Sequence, residues 1–141
     1  MLWRSWLSAA LLLLTITPTS AKDLTIQMDG ITPGAGPVLL LVCDHAEQFD
    51  HLASAKEQAP VALRFNAPPP SISLTLHDLP DVAYAAVAYQ DSNRNGVLDR
   101  NLLGIPTEPY GFSTPTQLGK PRFADAAQTS AAGYLRIHLK P

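Results

Sequence analysis

Nine consecutive residues, Asp91-Ser92-Asn93-Arg94-Asn95-Gly96-Val97-Leu98-Asp99, place oxygen-bearing side chains at positions 1, 3, 5 and 9 of a loop and a glycine at position 6. This is the spacing of a calcium loop. A hard cation takes six to eight oxygens at about 2.3–2.6 Å, and alternate side chains in a loop bent at glycine converge on one point together with the carbonyl of the seventh residue. The expected ligands are Asp91, Asn93, Asn95, the Val97 carbonyl and Asp99, and the expected cofactor is calcium.

The pattern departs from an EF-hand at position 12, where a bidentate Glu is replaced by Leu102, and no flanking helices are expected. Asn101, Glu108 or water would complete the shell. Only two carboxylates, Asp91 and Asp99, come from the loop itself, so the affinity expected is that of extracellular modules, about 10⁻⁴–10⁻³ M. The competing reading makes Asn95-Gly96 a tight turn whose Asp and Asn side chains satisfy loop amides. Against it, a hairpin turn is flanked by alternating apolar residues, and both flanks here are polar.

Other chemistry-bearing residues make weaker sets. Cys43 and His45 lie two apart on one expected strand face, the spacing of a thiol and its base, but a Cys within an apolar run reads as core. Asp44-His45 and Asp50-His51 repeat a dyad that would suit zinc or copper if it were not in a solvated loop. His77 and His138 fall on polar strand faces.

The elements that position the loop read as strands. Leu24, Ile26 and Met28 alternate with polar neighbours, predicting a strand over 23–29; Val61, Leu63 and Phe65 predict another, and so do Ile72, Leu74 and Leu76. Leu135, Ile137 and Leu139 predict a closing edge or near-edge strand. Val38 to Cys43 and Val82 to Tyr89 are apolar on both faces, as in central strands. A seventh strand is expected near Ala126 to Ala131, and a short helix over Phe49 and Leu52. The fold class expected is all-β, a single antiparallel β-sandwich of about seven strands, immunoglobulin-like or prealbumin-like. Its inner faces would include Leu24, Ile26, Val61, Leu63, Ile72, Leu74, Ile137 and Leu139. Between Tyr89 and Phe123 no periodicity is visible, and the stretch is expected to be one long ordered loop because it carries Leu102, Leu103, Ile105, Tyr110 and Phe112.

Composition agrees with a folded domain: 141 residues, 46% hydrophobic and 16% charged, with eight Gly and thirteen Pro. A net charge of -2 with scattered Lys and Arg argues against a nucleic-acid partner or an acidic membrane surface. One cysteine excludes an internal disulfide. Arg4, the apolar run from Leu7 to Ile16 and the ending Thr19-Ser20-Ala21 read as a secretory signal peptide over 1–21, cleaved before Lys22. The run is too short for a membrane span, which needs about 20 residues. Residues 22–141 would then be one exported domain, periplasmic or extracellular.

The run Leu79-Pro80, Tyr84, Asp91 to Asn101, Gly104-Ile105-Pro106, Glu108 and Tyr110-Gly111-Phe112-Ser113 resembles a bacterial exported family, the domain of unknown function numbered 2141. Val38 to Asp44, Phe49 and Phe123-Ala124-Asp125-Ala126 extend the resemblance more loosely. It implies a single β-sandwich and export, and supplies no mechanism. Asp81-Val82 and Pro109 depart from the family's usual small or flexible residues, which puts local turn geometry in doubt and leaves the loop ligands untouched.

Three readings compete. In the first, the domain is noncatalytic, and a calcium-braced loop presents Tyr110 and Phe112 to a protein, peptide or glycan. The second is a hydrolase drawing on Glu108, Asp91 or a His brought near by the fold. The third is a structural accessory in which Tyr110 and Phe112 are buried.

Overall fold

The computed structural model describes residues 20–51, 59–114, 120–129 and 133–141. The expected signal segment through Thr19, Leu52 of the expected helix, and Ser130 and Ala131 of the expected seventh strand lie outside the described residues.

Two sheets pack face to face. The first is three-stranded, with order β4-β1-β8: β4 is Ile72–Pro80, β1 is Ala21–Asp29 and β8 is Tyr134–His138. The second has the order β3-β2-β5-β6, formed by Val61–Phe65, Val38–Cys43, Ala83–Gln90 and Tyr110–Phe112, and the two-residue β7, Gln128–Thr129, also pairs with β5. The all-β sandwich is as the alternation predicts. One pairing differs from the antiparallel expectation, because β1 runs parallel to β8 from Thr25↔Tyr134 to Asp29↔His138.

The core lies between the sheets. Leu24, Ile26 and Met28 of β1 and Leu135 and Ile137 of β8 face Val38, Leu40 and Val42 of β2 and Tyr84, Ala86 and Ala88 of β5. The first sheet turns its other face to solvent, so its strands alternate; there Thr25 pairs with Thr75 at 3.0 Å and His77 with Asp23 at 2.9 Å. The second sheet is covered on both faces at its central strands. Its outer side packs Leu41, Cys43, Ala85, Val87 and Phe112 against Phe49 of α1 (Ala46–Asp50) and Ala126 of α2 (Phe123–Ala126). This double burial explains why β2 is apolar throughout and β5 is apolar from Ala83 to Tyr89.

Three expectations need correction. Leu63 stands on the inner-facing side of β3, opposite Leu40, but is 37% exposed rather than buried, because β3 is an edge strand and only Val61 and Phe65 pack against the core. The stretch expected as one loop between Tyr89 and Phe123 contains β6, a strand too short to show periodicity. The expected strand over 126–131 begins instead as the end of α2, followed by β7 at 128–129.

Candidate functional site

The chain leaves β5 at Gln90 and returns at Tyr110, and buried polar groups hold both ends of this excursion. Gln90 is fully buried: its Nε2 donates to the Thr32 and Gly36 carbonyls at 2.7 and 3.1 Å, and its Oε1 accepts from the Thr32 amide at 3.0 Å. Its own amide donates to Pro109 O, and the Asp91 amide to Pro37 O, both at 2.8 Å.

Asp91 is fully buried at the base of the loop. Its Oδ1 accepts from the Asn95 amide at 3.0 Å and its Oδ2 from the Gly96 amide at 2.8 Å, while Arg64 Nη1 lies 3.9 Å from Oδ2. The turn depends on Gly96, whose φ of 79° suits a residue without Cβ. Asn93 Oδ1 and Asn95 Oδ1 accept from the Asn95 and Val97 amides at 3.2 and 3.0 Å. The two carboxamide nitrogens turn to Asp99: Asn95 Nδ2 donates at 2.9 and 3.0 Å, and Asn93 Nδ2 donates to Oδ2. Asp91, Asn93, Asn95 and Asp99 therefore form one hydrogen-bonded ring, with Val97 exposed beside it.

The two residues proposed to complete an ion shell are engaged elsewhere. Glu108 is buried and gives one oxygen to the Ser92 amide at 2.8 Å and the other to the Asp99 amide at 3.1 Å, pinning both limbs of the loop. Asn101 Oδ1 accepts from the Leu103 and Ile105 amides at 2.9 and 3.0 Å, capping the outer turn. Gln90 was missed as an anchor. The signal was a lone amide closing an apolar strand that the structure buries on both faces, a position where a polar side chain must find partners.

Among the described residues no three His, Cys, Asp or Glu side chains gather into a metal-ligand cluster. The ring is instead two carboxylates and two carboxamides, with the carboxamide nitrogens facing Asp99 and the carboxamide oxygens facing loop amides. Each Asp91 oxygen that accepts an amide keeps a second lone pair. Tyr89 borders the ring, donating its hydroxyl to Gly96 O at 3.1 Å. Its pKa is pushed up to about 12 by burial first, then by the negative charges of Asp91, Glu108 and Asp99, with Arg64 acting the other way. A tyrosine whose folded pKa is raised contributes stability that is full below its unfolded value near 10 and is lost as pH rises through about 12. In an alkaline absorbance titration a phenol ionising near pH 12 is expected, and Tyr89→Phe should remove it and flatten the loss of stability above pH 10.

The remaining candidates stay apart. Cys43 is buried, its thiol pushed up to about 11 chiefly by burial, whereas the His45 ring is exposed and pairs with Asp44 at 2.7 Å. His77 and His138 are exposed partners of Asp23 and Asp29. Phe112 is buried, meeting Phe49 at 5.8 Å between ring centroids and Tyr110 at 5.7 Å, so the two loop aromatics do not form an exposed patch.

The return strand also builds a groove. Tyr110 exchanges amide and carbonyl hydrogen bonds with Lys140, both at 2.9 Å, which brings β6 against the end of β8. The approach requires Gly111, where a Cβ would stand 2.3 Å from the His138 carbonyl oxygen. The resulting cleft of about 670 Å³ is lined by Tyr110, Tyr134, Arg136, His138 and Lys140 among others, and its charged side chains are all basic.

Fold and site together define a two-sheet β-sandwich with a pinned Asx-rich loop between its central strand and its seam. The chain belongs to the family described as an uncharacterized protein conserved in bacteria, DUF2141, whose model matches residues 26–137. No curated protein and no solved structure matches it.

Proposed function

We propose that this is an exported, noncatalytic binding module in which a calcium ion held by Asp91, Asn93, Asn95, the Val97 carbonyl and Asp99 braces the loop, and the groove beside it takes a peptide or glycan ligand. One observation carries the reading: β6 is at once the end of the Asp91–Glu108 loop and a wall of the groove. Fixing the loop fixes Tyr110. An aromatic ring beside Arg136 and Lys140 suits a ligand with a flat apolar face and an acidic group. The groove's volume falls in the usual range for ligand sites, about 300–1,000 Å³.

On this reading calcium takes the place that the Asn93 and Asn95 amide nitrogens hold against Asp99, each carboxamide turning its oxygen inward. The noncatalytic part rests on how the carboxylates are used. Asp91 and Glu108, on which a hydrolase would draw, each give both oxygens to loop amides.

A thermal melt with and without calcium tests the brace. Calcium at ten times its Kd should stabilise the fold by about 1.4 kcal/mol, a shift of several degrees for a domain of this size. Asp99→Ala and Asp91→Ala should abolish the shift, Arg94→Ala should retain it, and magnesium should substitute poorly because it demands a tighter octahedral shell. The alternative, a structural accessory whose loop covers one end of the sandwich, is favoured by the burial of Phe112, and an unchanged melt in millimolar calcium would select it. No helix among the described residues is long and apolar enough to cross a membrane. For export, the protein recovered outside the cytoplasm should begin at Lys22. Because both tryptophans, Trp3 and Trp6, precede that point, it should lack tryptophan emission; retention of Met1 would contradict export with cleavage.

A further inference from the structure

The outermost turn of the loop is the most apolar exposed feature among the described residues. Leu102 is 106% exposed, Leu103 82% and Ile105 53%, and Val97 lies exposed on the same excursion. Nothing frames this tip: no atom lies within 4 Å of the position a Cβ would take at Gly104. Exposed aliphatic side chains on an ordered turn are costly in water and mark a contact.

We propose that Leu102, Leu103 and Ile105 form a wedge that enters the interface of a bilayer containing anionic phospholipid. Three observations favour a bilayer over a protein. The first is backbone satisfaction, which hydrocarbon requires and water does not. The Asn101 amide donates to Ile105 O and the Gly104 amide to Asn101 O, both at 2.9 Å, while the Leu103 and Ile105 amides share Asn101 Oδ1. The turn thus enters an apolar medium with these groups already paired. The second is charge. Arg94 and Arg100 are the cationic side chains of this excursion and both are exposed. Arg100 Nη1 donates to Gly104 O at 2.9 Å, which holds a cation on the same turn as the leucines, where lipid phosphates complement it. The third is size. A stable protein interface buries about 800 Å² on each partner, which a single projecting turn does not supply, whereas a bilayer accepts a convex tip. The net charge of -2 sets this apart from general adsorption to an acidic surface: attachment runs through the tip.

An environment-sensitive fluorophore on a Leu103→Cys variant of the full chain tests the inference, since the native Cys43 is buried and stays unlabelled. Mixed phosphatidylglycerol and phosphatidylethanolamine vesicles should shift the emission to the blue and raise it at least twofold. The same label at Ser73→Cys, on the solvent face of β4, should not respond. Adding Leu102→Ser should weaken the vesicle response at least tenfold, and phosphatidylcholine alone should give a smaller one. The shift is expected in chelator as in calcium, because the tip closes on its own hydrogen bonds; failure of the calcium brace therefore leaves this inference standing. No shift at position 103, or equal shifts at 103 and 73, would overturn it. A vesicle-free shift that grows with protein concentration would overturn it in favour of a second copy of the chain.

Discussion

Replacing Phe49 by alanine is expected to cost about 3–5 kcal/mol, the range for deleting a fully buried aromatic side chain. A small domain has about 5–15 kcal/mol in total, so the loss takes about a fifth of the stability or more. Phe49 is fully buried, although it stands on a helix of only five residues. Its ring meets Phe112 at 5.8 Å and Phe123 at 6.1 Å, both edge to face, and Lys120 Nζ lies 5.3 Å from its centroid. It is the link through which α1, α2 and β6 close the outer face of the second sheet. Urea denaturation checks the value, and Phe49→Leu, which keeps most of the volume, should lose markedly less. A cost below about 1 kcal/mol for the alanine variant would mean that α1 is not docked as described.

Glu108→Ala is expected to cost about 2–4 kcal/mol, because it strands the Ser92 and Asp99 amides together. Glu108→Gln should be milder: its one carboxamide oxygen still accepts from one amide, while its nitrogen faces the other. Amide exchange separates this from a general loss of stability. Protection at Ser92 and Asp99 should collapse in the alanine variant while amides in β2 and β5 remain protected. Equal loss throughout would show that the loop and the sandwich open as one unit.

Most of the sandwich was legible because its strands obey one of two patterns. Where a sheet has one wet face, as in β1 and β8, apolar residues alternate; where both faces are covered, as in β2 and β5, they run on without a break. The exposure of Leu63 was not legible, since alternation gives a face and not the distance of a strand from the sheet edge. β6 escaped because Tyr110–Phe112 spans a single alternation, and the parallel pairing of β1 with β8 escaped because it joins segments from opposite ends of the chain. At the site, the side chains of Asp91, Asn93, Asn95 and Asp99 bond to loop amides and to one another, the arrangement that the competing turn reading describes. The roles of Gln90, Glu108 and Asn101 were hidden for a shared reason. Each is a polar side chain whose partners are backbone groups, and backbone groups leave no trace in residue type.

Calorimetric titration of calcium into the wild-type protein tests the central claim most directly. The expected result is one ion per chain with a Kd of about 10⁻⁴–10⁻³ M, and no binding heat in Asp99→Ala at the same concentrations. Absence of heat from the wild type at millimolar calcium would contradict the brace and leave Asp91 to Asp99 as a turn closed by its own side chains.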